Sequence, residues 1–364
     1  SLSFFDLNNY FGASFFSNLY YVPLDIFTLL SFLFSFIMPT VIAISTVELL
    51  KLVFGVFLLG TYFALKKVPA KIILYVSLLY FVSGGIVSFM NFPAFLSLVV
   101  YLPLGLLVIH YFLQQNYWVV PLFVFLIVLY NFYLAYMVLA FMSFAFLLEY
   151  FKYHEFRITS FLAKGASFLA LMLLGVVLSS VILLPAITFI SEQTIRTSVT
   201  FEPWVLDFRL FEVKLFPPEV YVRYFAKFYA PQRPPSFRGL LNDYKLEHVS
   251  NYITVFGLFG MSLIFFLKGK IARVYKIMIG IFIFAFIFPV FSSVLSGTII
   301  MDMFSKTQEA FPYNRWINMM PLFFLMVLAH VIEEYPKQVK TKKPVFITSF
   351  FVGGVGVFAI LFYA

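Results

Sequence analysis

Residues 117–151 run for about 35 positions with no charged side chain before Glu149, and runs of this kind recur from one end of the chain to the other. A helix needs about 20 apolar residues, within a range near 17–25, to cross the hydrocarbon core of a bilayer. Stretches that qualify fall at roughly 48–66, 71–90, 94–112, 163–190, 251–267, 275–295, 316–332 and 345–363. The 117–151 stretch is too long for one crossing and short for two, so it is divided at Tyr130-Asn131-Phe132. The segment from Pro23 to Pro39 is only about 16 residues long and reads as a re-entrant or interfacial hairpin. Composition agrees. The chain is 63% hydrophobic and 11% charged, where a soluble domain carries about 45–50% apolar and about 25% charged residues. A soluble globular enzyme is excluded. With no Cys, so are disulfide scaffolds, cysteine zinc sites, iron–sulfur clusters and thiol catalysis. The expected fold class is an all-α polytopic membrane protein.

Basic residues set the orientation, because Lys and Arg concentrate in short cytoplasmic loops. Lys66, Lys67 and Lys71 mark one inner loop, and Lys152, Arg157 and Lys164 a second. Lys268, Lys270, Arg273 and Lys276 mark a third, and Lys337, Lys340, Lys342 and Lys343 a fourth. These alternate with outer turns only if 117–151 crosses twice, which also puts Thr46-Val47-Glu48 outside. The formal net charge of +9 is then a consequence of sidedness and calls for no nucleic-acid partner. The organisation read from the sequence is an outer loop with a re-entrant or interfacial hairpin (1–47), a first half of the transmembrane bundle (48–190), an outer aromatic-rich loop (191–250) and a second half (251–364). With 1–45 outside and Ser1 in place of Met, the chain is expected to be a portion of a longer polypeptide, with a span upstream and a further C-terminal region. Within the long outer loop, Arg223 and Lys227 lie four apart among aromatics. That pattern suits a helix lying in the headgroup layer, or a loop packed on its neighbours.

An ionisable group within a span costs a few kcal/mol and is a functional hypothesis by default. Glu48 and Lys51, three apart at the outer end of a span, share a helical face. Either they pair with each other near the interface, or Lys51 meets an anion in an outer cavity while Glu48 orients it. Arg315, in Phe311-Pro312-Tyr313-Asn314-Arg315-Trp316, either anchors the start of a span or uses its guanidinium to hold phosphate. His110 and His330 read as interfacial, and His154 beside Glu155 as solvated. In the first 25 residues, Asp6, Asn8, Asn9, Ser14, Asn18 and Asp25 stand among Phe and Tyr. Such a segment suits a sugar, with aromatic faces stacking on the ring and Asp and Asn taking hydroxyls; otherwise these residues only face water. No Walker, G-x-S-x-G, H-E-x-x-H or dinucleotide glycine motif stands in a supporting context. No protein metal site is read. No cofactor is required, and a role for a divalent metal is left open.

Several motifs, taken in order, carry a resemblance. Ser3-Phe4-Phe5-Asp6-Leu7-Asn8, Gly12-Ala13-Ser14-Phe15-Phe16 and Val22-Pro23-Leu24 resemble the first outer loop of the bacterial YfhO family. Tyr80-Phe81-Val82-Ser83-Gly84-Gly85 is similar to its next glycine-bearing span, and Asn131-Phe132-Tyr133 with Tyr136-Met137 to its aromatic asparagine motif. Leu183-Leu184-Pro185 closes the long span, and Pro312-Tyr313-Asn314-Arg315-Trp316 resembles the Pro–aromatic–Arg signature. The resemblance implies a GT-C-like bundle of about 10 transmembrane helices in the plasma membrane, with its active site on the outer face. It implies a glycosyltransferase that takes a sugar from a polyprenyl-phosphate carrier to a cell-envelope acceptor such as teichoic acid. Enzymes of this class place a catalytic Asp in the first outer loop, close after the first span. Asp6 is the general base to carry over, unless the true base lies upstream of Ser1, and Ser14 stands where many relatives carry an acidic residue. Lys51 and Arg315 would hold the donor phosphate, with Glu48 orienting Lys51. Asn8, Asn131, Tyr133, Tyr136 and Tyr313 would line the sugar and acceptor cavity. Two rival readings use much the same residues: a flippase or transporter for a lipid-linked sugar, which needs polar groups continuing toward the cytoplasm, and a glycan polymerase or ligase, which differs in its acceptor. A third, a structural scaffold of an envelope assembly, involves no chemistry.

Overall fold

In hydrocarbon every backbone N–H and C=O must find its partner inside the protein, and the described chain meets this by folding almost wholly into helices. The computed structural model describes residues 5–6, 13–14, 26–83, 96–130, 132–155, 157–181, 255–288 and 320–339, with Val345, Thr348 and Val352. These form α1 (Ile26–Ser35), α2 (Thr40–Leu65), α3 (Ala70–Phe81), α4 (Leu98–Leu113) and α5 (Val119–Tyr130). They continue with α6 (Phe132–Tyr153), α7 (Ile158–Leu178), α8 (Val255–Ser262) running into a 3-10 turn at Leu263–Phe266, α9 (Lys270–Ile287) and α10 (Met320–Gln338). Two-residue strands, β1 (Phe5–Asp6) and β2 (Ala13–Ser14), pair antiparallel, with Phe5 opposite Ser14 and Asp6 opposite Ala13. Residues 191–250, which the sequence reads as an outer loop, lie outside the described residues.

Helix ends follow local chemistry. Pro39 and Pro69, with φ of −52° and −57°, precede α2 and α3, since a fixed φ and a missing N–H cost nothing at a helix start. At the other end of α2, Lys67 takes φ 60°, with Lys67 N–H donating to Ala64 O and Val68 N–H to Phe63 O. α4 closes the same way: Gln115 takes φ 71°, and the Gln115 and Asn116 N–H groups reach Phe112 O and Tyr111 O. Both are left-handed closures that satisfy orphan carbonyls and turn the chain back.

The aromatic contacts give the directions. Tyr117, just before α5, packs on Phe112 at the end of α4 (5.5 Å), whereas Tyr130, at the end of α5, packs on Tyr101 near the start of α4 (4.8 Å). Phe146, late in α6, returns to Phe112 (6.0 Å). Hence α5 and α6 run in opposite directions, and the reversal falls between Tyr130 and Phe132, where the sequence places the break. Phe144 of α6, Phe282 of α9 and Phe323 of α10 meet with centroids 4.7–5.8 Å apart, so helices from before and after residues 191–250 share one core. Close approach elsewhere depends on glycine. A Cβ on Gly55 of α2 would lie 2.5 Å from Val99 O of α4, and one on Gly175 of α7 would lie 2.6 Å from Val124 Cβ of α5.

The four basic loops share one end of the bundle. Lys66 pairs with Glu149 beside Lys152, Lys270 Nζ donates to His154 O (2.6 Å), and Lys268 N–H donates to Gln338 Oε1 (2.8 Å). Away from that end, α2 and α7 turn large apolar side chains outward: Leu49, Val53 and Phe57 on one, Leu162, Leu169, Leu173 and Val177 on the other, each more than half exposed. In water such ridges would drive aggregation; against acyl chains they cost nothing.

One boundary departs from the reading of the sequence. α2 begins at Thr40, eight residues before the expected start of the span at 48. Ser45 and Thr46, which the sequence reading places in the outer segment 1–47, return their hydroxyls to the carbonyls of Val41 (3.0 Å) and Ile42 (2.8 Å). A hydroxyl that bonds the preceding turn is no barrier to an apolar helix. Glu48 and Lys51 therefore sit well inside α2 and not at its tip.

Candidate functional site

On α2, Lys51 Nζ lies 2.9 Å from Glu48 Oε1, as three-residue spacing on a helix allows. Lys51 is only 4% exposed, and the Phe27 ring lies 5.5 Å from its ammonium because α1 folds back against α2. Glu48 Oε2 is buried without a hydrogen-bond partner. This pair stands on the half of α2 away from the basic loops, 15 residues or roughly 22 Å of helix from Lys66. Of the other residues singled out in the sequence, Asp6 is on β1 opposite Ala13, and Tyr133 and Tyr136 are in the first turns of α6. Asn8, Asn131, Tyr313 and Arg315 lie outside the described residues. Glu48 and Lys51 are thus the two members of the set that the described structure brings into contact.

A second charged cluster is not singled out by the sequence, in which its lysines serve only as markers of orientation. Glu149 of α6 is fully buried. Its Oε1 accepts hydrogen bonds from Tyr62 Oη (2.7 Å) and Lys152 Nζ (3.0 Å), and Lys66 pairs with its Oε2. Lys66 also stands 4.2 Å from the Tyr153 ring, and Lys152 4.8 Å from that of Tyr275. A lone carboxylate here would be untenable; two ammonium groups and a phenol make it stable and tie α2 to α6. Burial holds the Lys66 ammonium below the usual lysine range, and Glu149 pulls it partly back. His154, in the loop after α6, is held below the usual histidine range by burial and then by Lys164, Lys270 and Lys66.

This cluster forms one wall of a cavity of about 610 Å³, whose other walls come from Lys268–Ala272, Tyr275, His330, Glu333, Glu334 and Gln338. Glu334 and Glu333 are already engaged by Lys337, at 2.8 and 3.6 Å. Among the described residues no three carboxylates or imidazoles converge to hold a metal ion. The sequence did carry a signal for this site. Glu149 and Lys152 repeat the spacing of Glu48 and Lys51, and Tyr62 and Lys66 lie four apart on the same face of α2.

The family model described as the bacterial membrane protein YfhO matches residues 1–364. The chain belongs to the YfhO family. No curated protein and no solved structure matches it. For a YfhO protein, a bacterial membrane protein, the exposed ridges of α2 and α7 have an obvious solvent in lipid. Its buried charges then stand in the setting where such groups are costly and call for a role.

Proposed function

We propose that this YfhO protein is a GT-C-type glycosyltransferase that moves a hexosyl or N-acetylhexosaminyl group from a polyprenyl-phosphate donor to a cell-envelope acceptor such as teichoic acid. The reaction takes place at the membrane face opposite the basic loops. The observation that carries this reading is a buried lysine paired with a glutamate in an apolar helix, on the half of the bundle away from those loops. Positive charge is scarce there under the positive-inside rule, so its retention suits an anionic substrate.

The chemistry is a single displacement. An acceptor hydroxyl attacks the anomeric carbon, the bond to the carrier phosphate breaks, and the electron pair leaves on that phosphate. Asp6 takes the hydroxyl proton as general base. Lys51 and Arg315 stabilise the charge growing on the phosphate, and Glu48 holds Lys51 in place. Asn8, Asn131, Tyr133, Tyr136 and Tyr313 line the space for sugar and acceptor. Inversion at the anomeric centre follows from the single attack.

The flippase reading draws on the polar cavity at the basic end. Against it, Leu52, Leu58 and Leu59 are buried on α2 between Lys51 and Tyr62, so this helix carries no polar path from one pair to the other on its buried face between those residues. A polymerase or ligase would share the donor chemistry and differ in acceptor. The test is to incubate purified full-length protein with radiolabelled polyprenyl-phosphate sugar and envelope acceptor, beside Arg315→Ala. Loss of one charge-stabilising donor costs about 2.7–4 kcal/mol of barrier, so transfer should fall roughly 100-fold or more. Near-normal turnover would remove Arg315 from the site. Label crossing proteoliposomes without reaching the acceptor would favour the flippase.

A further inference from the structure

We infer that the cavity at the basic end is a binding site for a phosphate-bearing anion, separate from the sugar-transfer site and independent of that reading. Charge is the first argument. Glu149 lies fully buried behind the wall that Tyr62, Lys66 and Lys152 form, and all three engage it. Two ammonium groups for one carboxylate leave a positive charge in surplus at a wall that is almost fully buried. On the rim, Lys268 and Lys270 add two more; Lys270 is held by a carbonyl, His154 O, and not by a carboxylate. The acids on the far wall offset this only in part: Glu333 and Glu334 share one cation, Lys337, and leave one negative charge there, against the surplus of Lys66, Lys152, Lys268 and Lys270 over Glu149. A surplus buried charge is stabilised by an anion brought to it.

Shape and chemistry narrow the class. The lysines reach the cavity from three places in the chain: the α2–α3 turn, the end of α6 and the start of α9. Ammonium groups converging from several directions suit the separate oxygens of a phosphate better than the flat pair of a carboxylate. The volume of about 610 Å³ falls within the usual range for small-molecule sites. Phe63, Val68, Met326 and Ala329 also line it, which gives the apolar part of a phosphate ester somewhere to lie. The site opens among the loops at one end of the bundle, at the level where lipid headgroups lie if those loops flank the membrane.

The experiment is native mass spectrometry of the full-length protein in detergent, with phosphatidylglycerol, phosphatidylcholine or inorganic phosphate supplied separately. Variants are Lys66→Gln and the rim pair Lys268→Gln with Lys270→Gln. Lys71→Gln, a basic residue of the same loop region that does not line the cavity, is the control. Melting temperatures identify any variant that fails to fold, and the exposed rim pair keeps the test valid if Lys66→Gln does. The expected result is retention of about one phosphatidylglycerol, at least tenfold over phosphatidylcholine, falling at least fivefold in the rim variant and unchanged in Lys71→Gln. Lysine-dependent binding of inorganic phosphate, without lipid selectivity, would support the site and name a soluble source. Equal retention of both lipids with no phosphate bound would overturn the inference. So would anion binding that Lys71→Gln weakens as much as the rim pair, since that is a general basic surface.

Discussion

Two segments of this YfhO protein carry the same local pattern, Glu-x-x-Lys within an apolar helix, and the fold treats them differently. On α2, Glu48 and Lys51 pair at 2.9 Å, and Glu48 keeps one buried oxygen without a hydrogen bond. On α6, Glu149 and Lys152 pair at 3.0 Å, Tyr62 of α2 donates to the same oxygen, and Lys66 forms an ion pair with the other, which like the second oxygen of Glu48 takes no hydrogen bond. Three-residue spacing is enough to form an ion pair on any helix. The fate of the pair depends on which helix packs beside it. The α6 pair sits where four basic loops meet, so its carboxylate is over-neutralised and works as a joint. The α2 pair sits far from those loops, with the Phe27 ring 5.5 Å from its ammonium, and it is the pair to which the proposed transfer reaction assigns the donor phosphate.

The sharpest way to break this comparison is to remove each acid or base and ask whether stability or activity responds. Glu149→Ala leaves Lys66 and Lys152 buried without their carboxylate and should cost about 3–5 kcal/mol, seen as a large drop in melting temperature in detergent. Lys51→Ala should instead cut sugar transfer about 100-fold, equivalent to about 2.7 kcal/mol of barrier, with a much smaller change in melting than Glu149→Ala. If Lys51→Ala unfolds the protein while transfer per folded molecule is intact, the two pairs have the same role and the comparison fails. Gly175→Val places a side chain 2.6 Å from Val124 Cβ and 2.8 Å from Pro121 O. It should destabilise by about 1–3 kcal/mol, testing whether α5 and α7 pack as closely as described without touching either charged site. The smallest effect belongs to Tyr62→Phe. This removes one of three partners of Glu149 and should cost about 1 kcal/mol, measured by the same melting assay; no change would mean that the two lysines hold the carboxylate alone.

The helical bundle was largely legible in the sequence because its signals are local. Length and apolarity identified runs at 94–112 and 275–295 that correspond to α4 and α9, within a few residues at their starts. The reversal between α5 and α6 was legible because a run of about 35 residues, uncharged until Glu149, fits neither one span nor two without a break. The start of α2 was not, since Ser45 and Thr46 read as polar until their hydroxyls are seen to bond Val41 and Ile42. At the candidate sites the pattern is similar. Glu48 and Lys51 were found because their relation spans three residues.

What the sequence by itself determined was the class of environment, the helices and the grouping of four basic loops at one end, all consequences of hydropathy and charge read a few residues at a time. Only the tertiary structure decided that Lys66 and Lys152 turn inward to the same carboxylate while Lys67 and Lys71 do not. Tyr62 and Glu149 are 87 residues apart, and no periodicity of either helix specifies that contact. It arises because α2 and α6 come together at the basic end, where a fully buried glutamate is stable only with cations supplied from more than its own helix.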